Sequence, residues 1–297
     1  MDLEQVFGLR PFTRAQARSA LGLSARRWRT LAPQLVRLGH GVYCLRWHPR
    51  DWGRYAQRIS AALITRTDHL AVGISAACLL GLPNPTFTSW DRLPVTIGGR
   101  QTRSARAISR CLAAPIPTSW GPSTDLIDTA VTVAAELPLP QALIVTDAVA
   151  RRLAGSTDRF ELASRHCRDE VRRRLRLPAE APALALADPA AESPAESFFR
   201  GHMILGGFPE PRCGVPLLGA SGRQYFADMV LDGLIIEVDG ALKYRAVEDL
   251  LTEKRREDDL RAAGHGFHRV LATDLFEDPA AEMSRLTFAR SRLALPA

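Results

Sequence analysis

Residues 224–240, QYFADMVLDGLIIEVDG, decide the fold of the second half of the chain. Two apolar runs flank Asp232-Gly233, a dipeptide that favours a type I′ β-hairpin turn because both central residues of that turn need a positive φ. With these two residues as the loop, the register places Asp228 directly across from Glu237. A slip of one residue would exchange the two faces of each strand, so the sequence specifies this register well.

The hairpin is expected to have one apolar face and one mixed face, because side chains alternate between the faces of a strand. The apolar face, which should lie on a core, collects Ala227, Met229, Leu231, Leu234, Ile236 and Val238. The mixed face collects Phe226, Asp228, Val230, Ile235, Glu237 and Asp239.

Two acids face each other on the mixed face. Like charges directly opposite each other destabilise a sheet, so something must offset the repulsion between Asp228 and Glu237. A shared proton, a neighbouring cation or a bound divalent metal ion would each do so. The alternative is an edge hairpin whose acids are simply solvated.

Length and composition limit the class of protein. A chain of 297 residues is long enough for two or three domains with cores of their own. Its five cysteines are scattered and include no CxxC pair, which argues against a disulfide framework or a zinc ribbon and for a reducing compartment. No signal peptide and no long uncharged apolar run is present, so we expect a cytoplasmic protein with no membrane partner.

The positive charge is concentrated at one end. Of a net charge of +7, residues 1–60 alone contribute +8, from eleven arginines against Asp2, Glu4 and Asp51. A basic charge confined to one region predicts a module that binds a polyanion, most often nucleic acid.

Lysine is rare in this chain. Of the 39 basic residues only Lys243 and Lys254 are lysines, and both lie within twenty residues of Glu237. A GC-rich genome explains the bias toward arginine. An amine differs from a guanidinium in size and hydration. If an amine is required beside the paired acids, lysine is expected to be kept at positions near them, and this is where the two lysines lie.

The first 58 residues predict a helix-turn-helix followed by a β-hairpin wing. Thr13 can cap a helix over 14–20, and Ser24 can cap a second helix that bends near Pro33. Trp28 and Leu31 would form the inward face of the second helix. The residues predicted to contact DNA are Arg14, Arg26, Arg27, Arg29 and Arg37. The alternative is an arginine-rich helix that is merely solvated.

The rest of the chain predicts three further parts. Residues 59–155 read as a mixed α/β middle domain, in which 69–83 forms one helix ended by Pro83. Residues 156–190 read as a basic helix and a Pro/Ala-rich linker. Residues 191–297 predict the order α, β, β, β, α, β, α. The whole chain thus belongs to a mixed class, α+β or α/β.

Two side-chain arrangements are expected in this last part. Ser193 should cap its first helix, in which Glu196 and Arg200 form an i, i+4 pair. On its long helix, Lys254 falls on the stripe expected to pack on the sheet. That stripe also includes Val247, Leu250, Leu251 and Asp258.

Residues from about 190 to 297 resemble the Vsr-like branch of the PD-(D/E)XK nuclease superfamily. The resemblance is carried by ESFFR, FADMVLDGLIIEVDGALKY, EKRREDDLRAAG and FHRVLATDL. Residues from about 5 to 155 are similar to AbiEi-family antitoxins, whose winged helix-turn-helix precedes a mixed α/β domain. Here the carrying stretches are FTRAQARSALGLSARRWRTL and RLGHGVYCL.

The nuclease resemblance implies a metal site on the hairpin. Its ligands would be Glu196, Asp228 and Glu237, and the metal Mg²⁺ or Mn²⁺, since hard carboxylate oxygens suit such ions. The superfamily pattern has a lysine two residues after the glutamate, where this chain has Asp239. Either Lys254 or Lys243 supplies the amine, with Asp239 as an extra ligand, or the site no longer cleaves.

Three functions follow from these features. The first is a metal-dependent DNA endonuclease guided by its N-terminal domain. The second is an AbiEi-like antitoxin or transcriptional repressor whose nuclease-like domain is inactive. The third is a repair or defence factor that binds particular DNA structures and recruits a partner. The expected partner is DNA, joined in the second and third cases by a toxin or a defence protein.

Overall fold

The computed structural model describes residues 2–99, 114–175, 181–240 and 247–293. The chain divides into two compact units, Met1–Glu136 and Leu137–Ala297. Each unit combines α-helices with β-sheet, which confirms the mixed class expected from the sequence. No helix in the described ranges is long and apolar enough to span a membrane.

The first unit contains six helices and seven strands in its described part. In chain order they are α1 (Leu3–Phe7), β1 (Phe12–Thr13), α2 (Arg14–Leu21), α3 (Ala25–Leu31), β2 (Val36–Gly39), β3 (Val42–Cys44), α4 (Asp51–Ile64), β4 (His69–Ala71), α5 (Gly73–Leu79), β5 (Ile97–Gly99), β6 (Ile116–Thr118), β7 (Gly121–Ser123) and α6 (Leu126–Glu136). One sheet has the order β1-β3-β2 and the other the order β5-β4-β7-β6.

The predicted helix caps at the N-terminus are confirmed. The hydroxyl of Thr13 accepts the backbone N–H of Gln16 at 3.1 Å, and that of Ser24 accepts the N–H of Arg27 at 3.2 Å. These bonds satisfy N–H groups that lack partners in the first turn of a helix. Trp28, on α3, is only 4 % exposed, so the inward face of this helix is also as predicted.

Two other expectations in the first unit had different outcomes. The bend near Pro33 is confirmed, because α3 ends at Leu31 and a 3₁₀ turn follows over Ala32–Gln34. The single helix predicted for 69–83 is wrong. Its first residues form β4, which pairs antiparallel with β5 and parallel with β7, so only Gly73–Leu79 is helical.

The second unit contains eight helices and four strands among its described residues. They are α7 (Leu139–Ala154), α8 (Arg159–Ala163), α9 (Arg165–Leu175), α10 (Pro182–Leu186), α11 (Pro194–Leu205), β8 (Arg212–Leu218), β9 (Gln224–Leu231), β10 (Leu234–Asp239), α12 (Val247–Ala262), β11 (Gly266–Leu271), α13 (Ala272–Glu277) and α14 (Pro279–Leu293). From α11 onward the order of helices and strands is the one predicted, with one further helix at the end.

The sheet of the second unit has the order β11-β10-β9-β8. Strands β8, β9 and β10 form an antiparallel meander, and β11 lies parallel to β10 after the crossover through α12. Strand β10 is buried along its whole length. The hairpin of β9 and β10 therefore holds its acids inside the unit, which excludes the simply solvated edge hairpin.

The hairpin turn is confirmed, and so is the predicted register over the three pairs next to the turn. Asp232 and Gly233 have φ values of 50° and 84°, as a type I′ turn requires. Leu234 pairs with Leu231, and the recorded pairing continues to Ile236 with Met229.

One face assignment on the hairpin is wrong. Ala227 packs with Ile235 and Leu260, on the face opposite to the one expected. Next to the pair of Met229 and Ile236, the carboxylate of Asp228 accepts the backbone N–H of Val238 at 2.9 Å. A side chain, rather than a backbone carbonyl of β9, thus bonds to β10 here. Ala227 and Val230 consequently lie on the same face of β9 although they are three residues apart.

Helices α7 and α11 pack closely against each other. A Cβ on Gly201 would meet the Cα of Pro140 at 2.4 Å, so α11 approaches the start of α7 at a position where only glycine fits. This packing is part of the second unit, which begins at Leu137, whereas the sequence predicts that residues up to 155 belong to the middle domain.

The Pro/Ala-rich segment is not a loose linker where the structure describes it. Most of 183–191 is buried, because small alanine side chains allow close approach. Asp188, 1 % exposed, lies 3.6 Å from Arg168 of α9, and its backbone N–H donates to Asp147 at 2.9 Å. The basic helix predicted over this region is divided at Ser164 into α8 and α9.

Candidate functional site

Glu196 is a buried carboxyl group in the first turn of α11. Ser193 caps this helix as predicted and accepts the N–H of Glu196 at 3.2 Å. The side chain of Glu196 is 4 % exposed, and its Oε2 accepts the N–H of Glu192 at 2.8 Å. Burial, together with the negative charge of Asp228, raises the pKa of Glu196 to about 8.

The expected i, i+4 pair between Glu196 and Arg200 is wrong. Arg200 instead donates from Nη2 to both carboxylate oxygens of Asp147, at 2.7 and 2.8 Å. Both side chains are almost fully buried, so the pair is held away from water. Among the described residues, no arginine or lysine forms an ion pair with Glu196. In this part of the chain, its carboxyl group thus lies beside another acid and is not paired with a cation.

Asp228 and Glu237 lie on neighbouring strands but make different contacts. Asp228, on β9, is half-buried and accepts the N–H of Val238. Glu237, on β10, is 2 % exposed, and its Oε1 accepts Nη2 of Arg256 at 2.8 Å. Of the three ways to offset the repulsion between these acids, the structure contains a neighbouring cation for Glu237.

An ion-pair network extends from α12 to the ends of β10 and β11. Arg256 donates to Glu237 and, through Nη1, to Glu253 at 2.9 Å. Arg269 on β11 donates to Asp239 at 3.1 Å and to Glu253 at 2.8 Å. Each of the two acids near the end of β10 is therefore paired with an arginine from another element.

Lys254 does not lie where the sequence predicts it. Lys254 is exposed on α12, so it does not lie on the face that packs on the sheet. Lys243 lies outside the described residues. The inward side of α12 carries Arg256 and Leu260 instead, and Leu251 is 49 % exposed.

The stripe predicted for α12 is wrong where the structure describes its side chains, because Leu251, Lys254 and Asp258 are exposed. The described inward face combines the charged Arg256 with Leu260, so a stripe based on the apolar residues near the start of the helix does not identify it. Arg256 was missed for this reason. The signal that could have identified it is its spacing of three residues after Glu253 and four before Leu260, the buried residue of the helix.

Two of the three predicted metal ligands lie close together. Burial and the negative charge of Asp228 raise the pKa of Glu196 to about 8. Oε1 of Glu237 accepts a hydrogen bond from Arg256 at 2.8 Å. In the ranges that the structure describes, no three such side chains lie close enough together to hold a metal ion as they stand.

The arginines predicted to bind DNA lie on the surface of the first unit. Arg14 is at the start of α2 and Arg37 is on β2, and both are exposed. Arg26, Arg27 and Arg29 are exposed along α3. Their guanidinium groups are thus available to phosphate, and α3 turns Trp28 inward between them.

Comparison with known proteins gives distant relatives only. No family model matches the chain. Two relatives from Mycobacterium tuberculosis carry the names "Uncharacterized protein MT2308" (strain CDC 1551 / Oshkosh) and "Uncharacterized protein Rv2248" (strain ATCC 25618 / H37Rv). Each is 27% identical over 269 residues, which cover 88% of this chain and 94% of the relative. No solved structure gives a significant match. The chain is therefore similar, over most of its length, to mycobacterial proteins whose names state no activity.

Proposed function

We propose that this chain is a DNA-binding protein whose second unit is a Mg²⁺-dependent DNA endonuclease with a PD-(D/E)XK fold. The observation that carries the proposal is the buried Glu196, whose pKa is raised to about 8 by burial and by Asp228. A buried acid beside another acid costs free energy unless a cation is nearby. A divalent cation at this position would remove that cost.

The sheet topology supports the same proposal. The order of helix, three strands, helix and fourth strand is the one predicted for the stretch that carries the nuclease resemblance, and its strands form one sheet that contains the β9–β10 hairpin. Asp228 lies on β9 and Glu237 on the neighbouring inner strand β10, and the charge of Asp228 acts on Glu196 in the first turn of α11.

The residues of the chain would hold the metal and orient it toward DNA. Glu196, Asp228 and Glu237 would be its carboxylate ligands. When bound, Mg²⁺ supplies an acidified water and neutralises charge on the phosphate. The backbone N–H groups of Glu192 and Val238 fix one oxygen of Glu196 and of Asp228, respectively. Such preorganisation of the ligands lowers the entropy cost of assembling the site.

The first unit would bring the protein to DNA. The exposed arginines of α3 follow a capped turn, and a short hairpin of β2 and β3 comes next in the chain, as in a winged helix-turn-helix. Replacing Arg26, Arg27 and Arg29 with glutamine should weaken DNA binding and flatten its dependence on salt, because each lost phosphate contact lowers the slope by about one. An unchanged slope would place the DNA-binding surface elsewhere.

A second candidate function is an AbiEi-like antitoxin or repressor with an inactive nuclease fold. One observation favours it: Glu237 and Asp239 are both paired with arginines, and no lysine of the described residues reaches them. A regulator should bind an operator near its own gene and leave DNA intact with any metal. As a regulator, the protein would also be expected to bind a partner, either a toxin or a defence protein.

Cleavage of plasmid DNA separates the two functions. Purified protein is incubated with supercoiled and linear DNA, with and without Mg²⁺ or Mn²⁺. For the nuclease we expect metal-dependent nicking that Glu237→Gln abolishes while DNA binding remains, because a neutral amide is a poor ligand for Mg²⁺.

The matched control for this assay is Asp232→Asn. It makes the same chemical change on the exposed turn of the same hairpin, where Asn-Gly also suits a type I′ turn. Nicking should persist in this variant. Intact DNA under every condition, with normal binding by the wild-type protein, would refute the nuclease and leave the regulator.

A further inference from the structure

A groove lined by arginines lies on the second unit, where α8, α9 and the edge strand β8 meet. Its volume is about 470 Å³. The described residues that line it are Ala163, Arg165, Arg168, Asp169, Arg172 and Arg212. Four cations and one acid therefore face this groove, and none of them belongs to the hairpin acids.

Helix α9 contributes three of the four arginines. Arg165, Arg168 and Arg172 are three and four residues apart, so they follow one stripe of the helix. At a rise of about 1.5 Å per residue, this stripe is about 10 Å long. Arg212, the first residue of β8, supplies the fourth cation from the sheet.

The two inner arginines of the groove are held by the protein. Arg172 donates to the carbonyl oxygens of Ala187 and Leu186, at 2.8 and 3.1 Å. The side chain of Arg168 is only 15 % exposed, and its Nη1 lies 3.6 Å from Oδ2 of Asp188, which is too long for a hydrogen bond. Its Nε is buried and has no acceptor among the described residues. A buried donor without an acceptor costs free energy, and an anion bound against Arg168 can accept from it.

The two outer arginines have weak partners or none. Arg212 is exposed, and no carboxylate in the described ranges pairs with it. Arg165 is 92 % exposed and lies 3.6 Å from Asp169, and an exposed pair of this kind contributes little to stability. The nearby acids Asp188 and Glu210 pair with the inner arginines. Both outer guanidinium groups can therefore turn to an anion without losing a strong contact.

We propose that this arginine groove binds the phosphodiester backbone of DNA, at a site separate from the arginines of α3. A guanidinium group presents its N–H donors in a planar fork that matches the oxygens of a phosphate. The described lining contains no aromatic side chain on which a base could stack, which favours contact with the backbone over recognition of bases. The stripe is also longer than the spacing of successive phosphates of one strand, about 3.4 Å along the duplex axis. This inference rests on the proposed function for the choice of DNA, and not on metal binding or cleavage.

The test is the affinity of the full chain for a short DNA duplex of arbitrary sequence, measured by fluorescence anisotropy over a range of salt concentrations. Arg165→Gln/Arg212→Gln should bind roughly tenfold more weakly or worse at about 0.1 M salt, and the salt slope should fall by up to about two, because two phosphate contacts are lost. Both residues are exposed, so the variant should fold normally.

The matched control is Arg173→Gln/Arg261→Gln. It removes the same charge from two exposed arginines of the second unit that do not line the groove, and each of them also has one acidic partner on its own helix. Its affinity should stay within about threefold of the wild type, since only the long-range charge changes. Equal affinities of the groove variant and the control would overturn the proposal.

A second measurement identifies the source of the phosphate group. The ¹⁵N resonance of Nε of Arg168, identified by its loss in Arg168→Lys, should shift when the duplex is added to the wild-type protein. Inorganic phosphate and AMP, at constant ionic strength, should not saturate this shift below about 1 mM. A resonance that the duplex leaves unchanged would overturn the proposal. Saturation by AMP or phosphate in that range would also overturn it, because the groove would then be a site for a small phosphate compound.

The outcomes for the arginine groove and for the nuclease can be told apart. Weaker binding by Arg165→Gln/Arg212→Gln than by the control, in a protein that never cuts DNA, supports the groove and refutes the nuclease. Cleavage by a groove variant that binds DNA as well as the control does refutes the groove alone. If the wild-type protein binds no DNA, both are overturned.

Discussion

The buried pair of Asp147 and Arg200 should determine the stability of the second unit. Asp147 is 1 % exposed and Arg200 is fully buried, and they are joined by two hydrogen bonds of 2.7 and 2.8 Å. Replacing one partner leaves the other charge buried, which costs about 3–5 kcal/mol. Asp147→Asn should therefore lower the free energy of unfolding by about that amount. The expected fall in Tm is roughly 6–20 °C, at about 2–4 °C per kcal/mol for a unit of this size.

The two units can be followed by different probes. All five tryptophans of the chain lie in the first unit, so their fluorescence reports on that unit, whereas far-UV circular dichroism reports on both. Asp147→Asn should lower the midpoint temperature of an unfolding transition seen by circular dichroism. Arg261→Gln, which breaks an exposed pair with Glu257, is the control and should cost at most about 0.5 kcal/mol.

Two results would refute this reasoning about Asp147. A decrease of less than about 1 kcal/mol in the free energy of unfolding would mean that the buried charge of Arg200 does not need Asp147 as its partner. A shift seen only in tryptophan fluorescence would place the loss in the first unit. Since Arg200 lies one turn after Glu196, a confirmed effect would also show that the pair anchors the helix that carries the candidate ligand.

Three further predictions concern stability. Burial, with a smaller effect of Arg285, lowers the pKa of His268, so the unfolded state takes up this proton at a higher pH than the folded state does. The contribution of His268 to stability is therefore constant above pH 6.5 and falls as the pH is lowered below that value, and His268→Gln should remove this part of the pH dependence in urea titrations. Trp28→Ala should destabilise the first unit by about 3–5 kcal/mol in the same titrations, because Trp28 is buried. A decrease of less than about 1 kcal/mol in the free energy of unfolding would contradict the burial of Trp28. Gly201→Ala should cost about 1–3 kcal/mol in thermal unfolding because its Cβ would collide with Pro140, and an unchanged Tm would show that α11 can move.

Features set by neighbouring residues were predictable from the sequence. The Asp232-Gly233 turn, the register that follows from it and the capping of helices by Thr13 and Ser193 each depend on a few adjacent residues. In each case the residues that interact are only a few positions apart in the sequence. The order of helices and strands from α11 onward follows from the same local patterns.

The choice of ionic partners was not predictable in the same way. Arg200 has Glu196 one helical turn away but pairs with Asp147, 53 residues earlier in the chain. Only the packing of α7 on α11 brings that carboxylate into reach. Likewise, Arg256 reaches Glu237 because α12 turns a charged side toward the sheet. The pattern of apolar residues along the helix does not reveal that side. Burial of charge depends on tertiary packing, and a sequence pattern alone does not specify it.

The central claim is that Glu196, Asp228 and Glu237 bind one divalent cation. The most direct test is an anomalous difference map from crystals of the protein soaked in Mn²⁺. We predict one strong peak within about 2.5 Å of carboxylate oxygens from all three residues. A map without a peak at these carboxylates would contradict the account.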